Sequence, residues 1–244
     1  MASAPSLAAT AADDGAGIPM AGARLGFWRD ELKRGREALR QAFFAKPDTP
    51  KLLREHARLV DRVVRDVWRE SSMPADLALL AVGGYGRGQL FPHSDVDVLI
   101  LLPEQGQAPA AAIERYFATL WDIGVELSHA VRTVGQCGSE MAGDTTIRTS
   151  LLENRFLHGS RRLLRDFRAM FEASMDVRSF YAAKALEQQQ RHQKFNDAIY
   201  NLEPNVKESP GGLRDLQTVL WISRAAGLGT SWVELARHGL MTIA

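Results

Sequence analysis

Two carboxylates one residue apart, Asp95 and Asp97, follow a glycine-rich stretch that opens at Gly83-Gly84. Between them run Tyr85-Gly86-Arg87-Gly88-Gln89-Leu90-Phe91-Pro92-His93-Ser94. Glycines carry no side chain, so a bulky anion can come close to the backbone N–H groups. If Asp95 and Asp97 open a strand, its two-residue period puts both carboxylates on one face. Two adjacent carboxylates facing a phosphate cradle are costly unless a cation sits between them. Mg²⁺ suits that place, because it takes oxygen ligands and shares them with substrate phosphates. The layout is that of two-metal nucleotidyl transfer: one metal activates a hydroxyl and the other orients the leaving pyrophosphate. An isolated Asp-x-Asp is usually a solvated strand edge, and an isolated glycine cluster a turn. Their combination between two apolar segments favours a site.

Other residues could serve the same chemistry. Arg87 lies between glycines and carboxylates and could reach a triphosphate or pair with an acid. Ser94, directly before Asp95, could hydrogen-bond a phosphate or cap the turn. Farther on, Asn205 to Asp215 holds the cations Lys207 and Arg214 and the pair Gly211-Gly212. A helix starting at Leu213 would present an anion-favouring N-terminus there. This stretch is either a ligand-contacting segment or a plain interhelical loop, and base, phosphate and protein contacts all remain open for it. The polar run Gln188 to Lys194 reads as a solvated helix face, and the lone Cys137 as structural or exposed.

Periodicity supplies the elements that must position these groups. Leu25 to Ala45 reads as an amphipathic helix, and Pro50 to Ser71 as a second one N-capped by Thr49. Leu77 to Val82, Val96 to Leu102 and Val125 to Thr133 read as strands, with a helix from Ala110 to Ile123. From Thr145 the chain reads as helical, with helices over Thr145 to Leu157, Ser160 to Phe171, Val177 to Tyr200, Leu213 to Ala226 and Ser231 to Arg237. The expected class is α+β, a small mixed sheet core with N-terminal helices, followed by an all-helical region. The expected division is a disordered tail over 1–23, helices over 24–74, the core over 75–143, and a helical region over 144–244, truncated at its C-terminus.

Composition sets the outer bounds. The chain has 244 residues, 45% hydrophobic and 24% charged, which suits one large domain or two small ones and excludes wholesale disorder. With 30 Lys and Arg against 29 Asp and Glu, the net charge of +1 argues against a protein whose main task is gripping nucleic acid. One cysteine excludes an internal disulfide framework and points to a reducing, cytoplasmic setting. No apolar run approaches the roughly 20 residues of a membrane helix.

Gly83-Gly84, eleven residues ending at Ser94, then Asp95-Val96-Asp97, resembles the polymerase-β-type nucleotidyltransferase signature. The fuller strings Gly-Gly-Tyr-Gly-Arg and Leu-Phe-Pro-His-Ser-Asp-Val-Asp, with Trp121 to His129, resemble the N-terminal portion of the bacterial PII uridylyltransferase/uridylyl-removing family. Asn201 to Gln217 is similar to that family's Pro-Asn-(Val/Leu)-Lys-x-x-Pro-Gly-Gly-Leu-Arg-Asp motif. The resemblance implies Mg²⁺ held by Asp95 and Asp97, UTP as donor, and a tyrosine of the PII signalling protein as acceptor. It implies nucleotide contacts at Gly83, Gly84, Arg87, Ser94, Lys207 and Arg214. It also implies a third carboxylate from a neighbouring strand, for which Glu126 is the best candidate. Asp144 is the weaker one and better suited to a helix N-cap. Family members are several times longer and carry an HD domain that removes UMP and glutamine-sensing ACT domains, so this chain is expected to keep only the transferase half. Alternatives are another donor and acceptor, such as adenylylation of glutamine synthetase, or a non-catalytic fragment that binds PII or nucleotide.

Overall fold

A computed structural model describes residues 22–105, 108–195 and 205–242. The tail expected over 1–23 thus falls almost wholly outside the described residues, as do 196–204 of the expected helix and loop. Fourteen elements follow in order among the described residues: α1 (Gly22–Ala45), α2 (Thr49–Glu70), β1 (Ala78–Ala81), α3 (Gly83–Gly86), β2 (Val96–Leu102), α4 (Ala110–Asp122), β3 (Leu127–Thr133), α5 (Val134–Gly143), α6 (Thr145–Leu152), β4 (Arg155–Gly159), α7 (Arg161–Ser174), α8 (Val177–Lys194), α9 (Leu213–Ala225) and α10 (Trp232–Arg237).

The four strands form one mixed sheet in the order β3-β2-β1-β4. β1 is antiparallel to β2 and to β4, and β2 is parallel to β3 across the α4 connection. The central strands β1 and β2 are largely apolar on both faces because helices cover both. Leu79, Ala81, Val98 and Ile100 face α1, α2 and α4, where Val60, Val63, Val64 and Val67 form the buried stripe of α2. The alternate residues Ala78, Leu80, Leu99 and Leu101 face Cys137 and Met141 of α5 and Leu163, Leu164 and Phe167 of α7. Each fully buried aliphatic or aromatic side chain contributes roughly 1.5–3 kcal/mol of transfer free energy. A smaller cluster, Leu152, Phe180 and Trp221, docks α8 and α9 against α6.

The α+β class holds, with corrections in four places. The helix expected over Thr145 to Leu157 ends at Leu152, and Arg155–Gly159 is an edge strand instead. It pairs with β1, more than seventy residues earlier, through an irregular register between Leu79 and Leu80. The sheet therefore crosses the boundary expected at 143/144, and the region beyond it is not all helical. Helix α5 covers residues for which the pattern predicts no element. Its three glycines weaken it as a local helix, but Thr133 and Gln136 form a capping box at its start. The turn after Ala81 holds the one-turn helix α3, and α2 is capped by Asp48, whose carboxylate accepts from Lys51 N, rather than by Thr49.

Candidate active site

The sheet delivers the two carboxylates as its period requires. Asp97 lies in β2 with Asp95 just before it, on the face shared by Leu99 and Leu101. Val82 N donates to Asp97 O at 3.0 Å, which sets the glycine turn against the carboxylates. Gly83 has a φ of 57°, and a Cβ there would lie 3.0 Å from Asp97 Oδ2. The backbone conformation therefore favours glycine, and an added Cβ would press on the Asp97 carboxylate. The two glycines are not equivalent, since a Cβ on Gly84 meets nothing closer than the Arg87 guanidinium at 3.6 Å.

A cavity of about 1000 Å³ opens over this turn. Gly83, Gly84, Arg87, Ser94, Asp95 and Asp97 all line it, and so do Lys207 and Arg214 from the second sequence stretch. Two segments more than a hundred residues apart in sequence thus converge on one space. Glu126 does not join them. It is exposed and lines a different cavity, while its backbone carbonyl accepts from Val96 N at 2.8 Å. The β3 residue in register with Asp97 is Ser128, which does line the main cavity. The expected carboxylate position on the neighbouring strand is taken by a hydroxyl. Asp144 caps α6, accepting from Thr146 N and Ile147 N.

Burial first, and then the negative charge of Asp95, push the Asp97 carboxyl up from 3.8 to about 6, with partial relief from the Ser128 hydroxyl. Neither carboxylate has an ion-pair partner among the described residues. Nor do those residues hold a group of three or more His, Cys, Asp or Glu able to bind a metal by themselves. Two carboxylates without an ion-pair partner among the described residues could hold a divalent cation that takes its remaining ligands from phosphate and water, as Mg²⁺ prefers.

The helical side of the cavity is cationic, and most of its charges are built in. Arg87 pairs with Glu153, which is only 3% exposed at the end of α6. It therefore both lines the cavity and satisfies a buried acid. Lys184 is 2% exposed, pairs with Glu187 at 2.7 Å and lies 4.5 Å from the Trp221 ring centroid. Arg214 flanks the same ring at 5.3 Å. Arg191, in the run that reads as a solvated face, is 8% exposed and pairs with Asp215. Sequence reasoning misses Ser128, Lys184 and Arg191. Lys184 and Arg191 occur seven residues apart, two helical turns, which is the spacing that could have put both on one face.

Asp215 ties the second stretch to α8. It accepts from Gln188 Nε2 at 2.9 Å, His192 Nε2 at 2.9 Å, Gly211 N at 2.7 Å and the Arg191 guanidinium. Burial alone would raise its carboxyl, but these donors outweigh it and hold it at about 2. The folded value lies below the unfolded one, so this contribution is present above about pH 4 and is lost as the pH falls toward 2. Asp215→Asn should cost roughly 1–3 kcal/mol, the scale of a charge-assisted network left with an unpaired buried partner. Faster amide exchange over α9 and altered Trp221 fluorescence would report it. Unchanged exchange would mean that Asp215 does not hold the segment.

Comparison with known proteins follows the same two segments. Residues 60–155 match the nucleotidyltransferase domain family, and residues 179–244 match the GlnD PII-uridylyltransferase family. The chain is 52% identical over 220 residues to a bifunctional uridylyltransferase/uridylyl-removing enzyme of Nitrosospira multiformis, covering 87% of this chain and 25% of that protein. It is 48% identical over 228 residues to the enzyme of the same description from Chromobacterium violaceum, covering 93% and 27%. The chain thus spans about a quarter of the length of these curated relatives. Among solved structures, a mutant of the toxin-antitoxin MntA-HpeT aligns over 57% of this chain and 98% of that one, with a TM-score of 0.32 and 11% identity.

Proposed function

Starting from a chain that carries a nucleotidyltransferase domain followed by a segment of the PII-uridylyltransferase family, we propose that it transfers UMP from UTP to a tyrosine of the PII nitrogen-signalling protein, with release of pyrophosphate. The observation that carries this reading is the single cavity with Asp95 and Asp97 on its sheet side and Lys207 and Arg214 on the side of the second motif. Asp95 and Asp97 would hold Mg²⁺, which when bound neutralises charge on the reacting phosphate and the leaving pyrophosphate. Gly83 keeps the space beside Asp97 free of a side chain, so a phosphate can approach the backbone there. Arg87, Lys184, Lys207 and Arg214 balance the triphosphate charge, and the Ser94 hydroxyl can donate to a phosphate oxygen. Because Glu153 and Glu187 already hold Arg87 and Lys184 in place, little ordering is left for the moment of binding. Positioning and charge balance supply most of the rate in phosphoryl transfer generally.

The reading sets the reaction in the cytoplasm, in keeping with one buried cysteine, Cys137. No helix among the described residues is long and apolar enough to cross a membrane. The test is label transfer from α-labelled UTP to purified PII with Mg²⁺, with ATP as a parallel donor. Label on PII from UTP and not from ATP is the expected result. Label from ATP alone would replace the donor. Mg²⁺-dependent UTP binding without transfer would reduce the assignment to nucleotide binding.

A further inference from the structure

Behind the turn that carries Asp95, a second cavity of about 720 Å³ lies between α1, α2 and the segment Pro92–Val96. It meets the reaction cavity at Ser94, which lines both. Its body is apolar, from Leu32, Leu39, Phe43, Leu52 and Ile123. Its charged lining is mainly basic, with Arg29, Lys33, Arg36 and Arg40 against the acids Glu37 and Glu126. Glu37 is already taken by Arg40, with two hydrogen bonds of 2.9 Å, and Arg29 donates to Asp122 O at 2.7 Å. Lys33 and Arg36 form no ion pair among the described residues. The lining therefore offers uncommitted positive charge.

Two residues of the lining, His56 and Arg36, each carry a buried nitrogen. His56 is 2% exposed, and its Nδ1 lies 3.1 Å from Leu90 O, a carbonyl that can only accept. Nδ1 thus carries the proton, which leaves Nε2 as an acceptor, and Nε2 has no partner among the described residues. Burial, and after it the nearby charges of Arg36 and His93, hold this ring below the usual histidine range despite the Leu90 bond, so it is neutral near pH 7. Arg36 Nε is likewise buried without a partner among the described residues.

We propose that this cavity is a second small-molecule site, distinct from the reaction cavity, for an organic anion with a planar apolar body. The acidic group meets Arg36 and Lys33, and the planar body lies against Leu39, Phe43 and Leu52. Aromatic carboxylates, sulfonates and phosphates have this chemistry.

The probe is 8-anilinonaphthalene-1-sulfonate, which combines a sulfonate, an aromatic body and an anilino N–H. It is titrated into the full 244-residue chain by fluorescence and calorimetry. One saturable site is expected. Affinity should fall about tenfold or more in the Lys33→Gln/Arg36→Gln variant, because two charge-assisted contacts are lost. Circular dichroism and the melting temperature of that variant, whose two positions are not fully buried, establish that it folds. Saturating UTP with Mg²⁺ should leave the stoichiometry at one. Displacement by UTP would place the probe in the reaction cavity and overturn the proposal. Equal affinity in the variant, or several probes bound without saturation, would reduce the cavity to unspecific apolar surface. Binding that appears only after residues 1–21 are deleted would make the chain's own N-terminal segment the occupant.

Discussion

Asp97→Asn, alone or with Asp95→Asn, should abolish UMP transfer while raising the melting temperature of the metal-free protein. The two effects have one cause. Asp97 is half-buried beside Asp95, and no cation pairs with either among the described residues. In the absence of metal, burial and like charge oppose its ionised form. Relief of that opposition should be worth on the order of 1–3 kcal/mol, the scale of a carboxyl shifted by about two units. Under the proposed function, the same carboxylate would be a ligand of the metal that carries UTP. Loss of a metal ligand forfeits several kcal/mol of transition-state stabilisation, a rate decrease of about 10³-fold or more. Differential scanning fluorimetry without metal and label transfer with Mg²⁺ read the two halves separately. Ordinary transfer by a folded Asp97→Asn protein would remove Asp97 from the chemistry. An unchanged melting temperature would show that its burial carries no electrostatic strain.

Gly86→Ala should unfold the protein or cost more than about 3 kcal/mol, well beyond the ordinary range for a point substitution. A Cβ at this position would sit 1.7 Å from Glu153 O and 3.0 Å from Ala81 O. Both obstacles are backbone, so no side chain can rotate away. Either α3 must leave β1, or the α6–β4 junction must move and take Glu153 away from Arg87. Gly84→Ala is the control, because its Cβ has space and the residue lines the cavity. It should keep the urea midpoint within the range of a neutral substitution and weaken UTP binding instead. Comparable midpoints for the two variants would mean that the Gly86 contact yields.

The chemistry was legible wherever it rested on short-range spacing. Asp95 and Asp97 fall on one strand face because a strand repeats every two residues, whatever packs against it. The helix from Leu213 is likewise set by neighbours along the chain. Less was legible at the edge of the sheet. Arg155–Gly159 carries apolar residues at spacings that suit a helix or a strand, and only the hydrogen bonds to β1 decide between them.

Distance in sequence explains the remaining differences at the site. Whether Glu126 or Ser128 stands beside Asp97 depends on the register of two parallel strands joined through α4, which no local pattern encodes. Arg191 looks solvated in a polar run, yet it is buried because α9 brings Asp215 to it. By itself, then, the sequence determined the type of chemistry, the paired carboxylates and the cations of the second motif. The tertiary structure alone decided that these lie in one cavity, that Ser128 and not Glu126 stands beside Asp97, and which cations are ion-paired within the chain. Those outcomes turn on contacts between segments tens to more than a hundred residues apart, whose partners are chosen by packing rather than by adjacent residues.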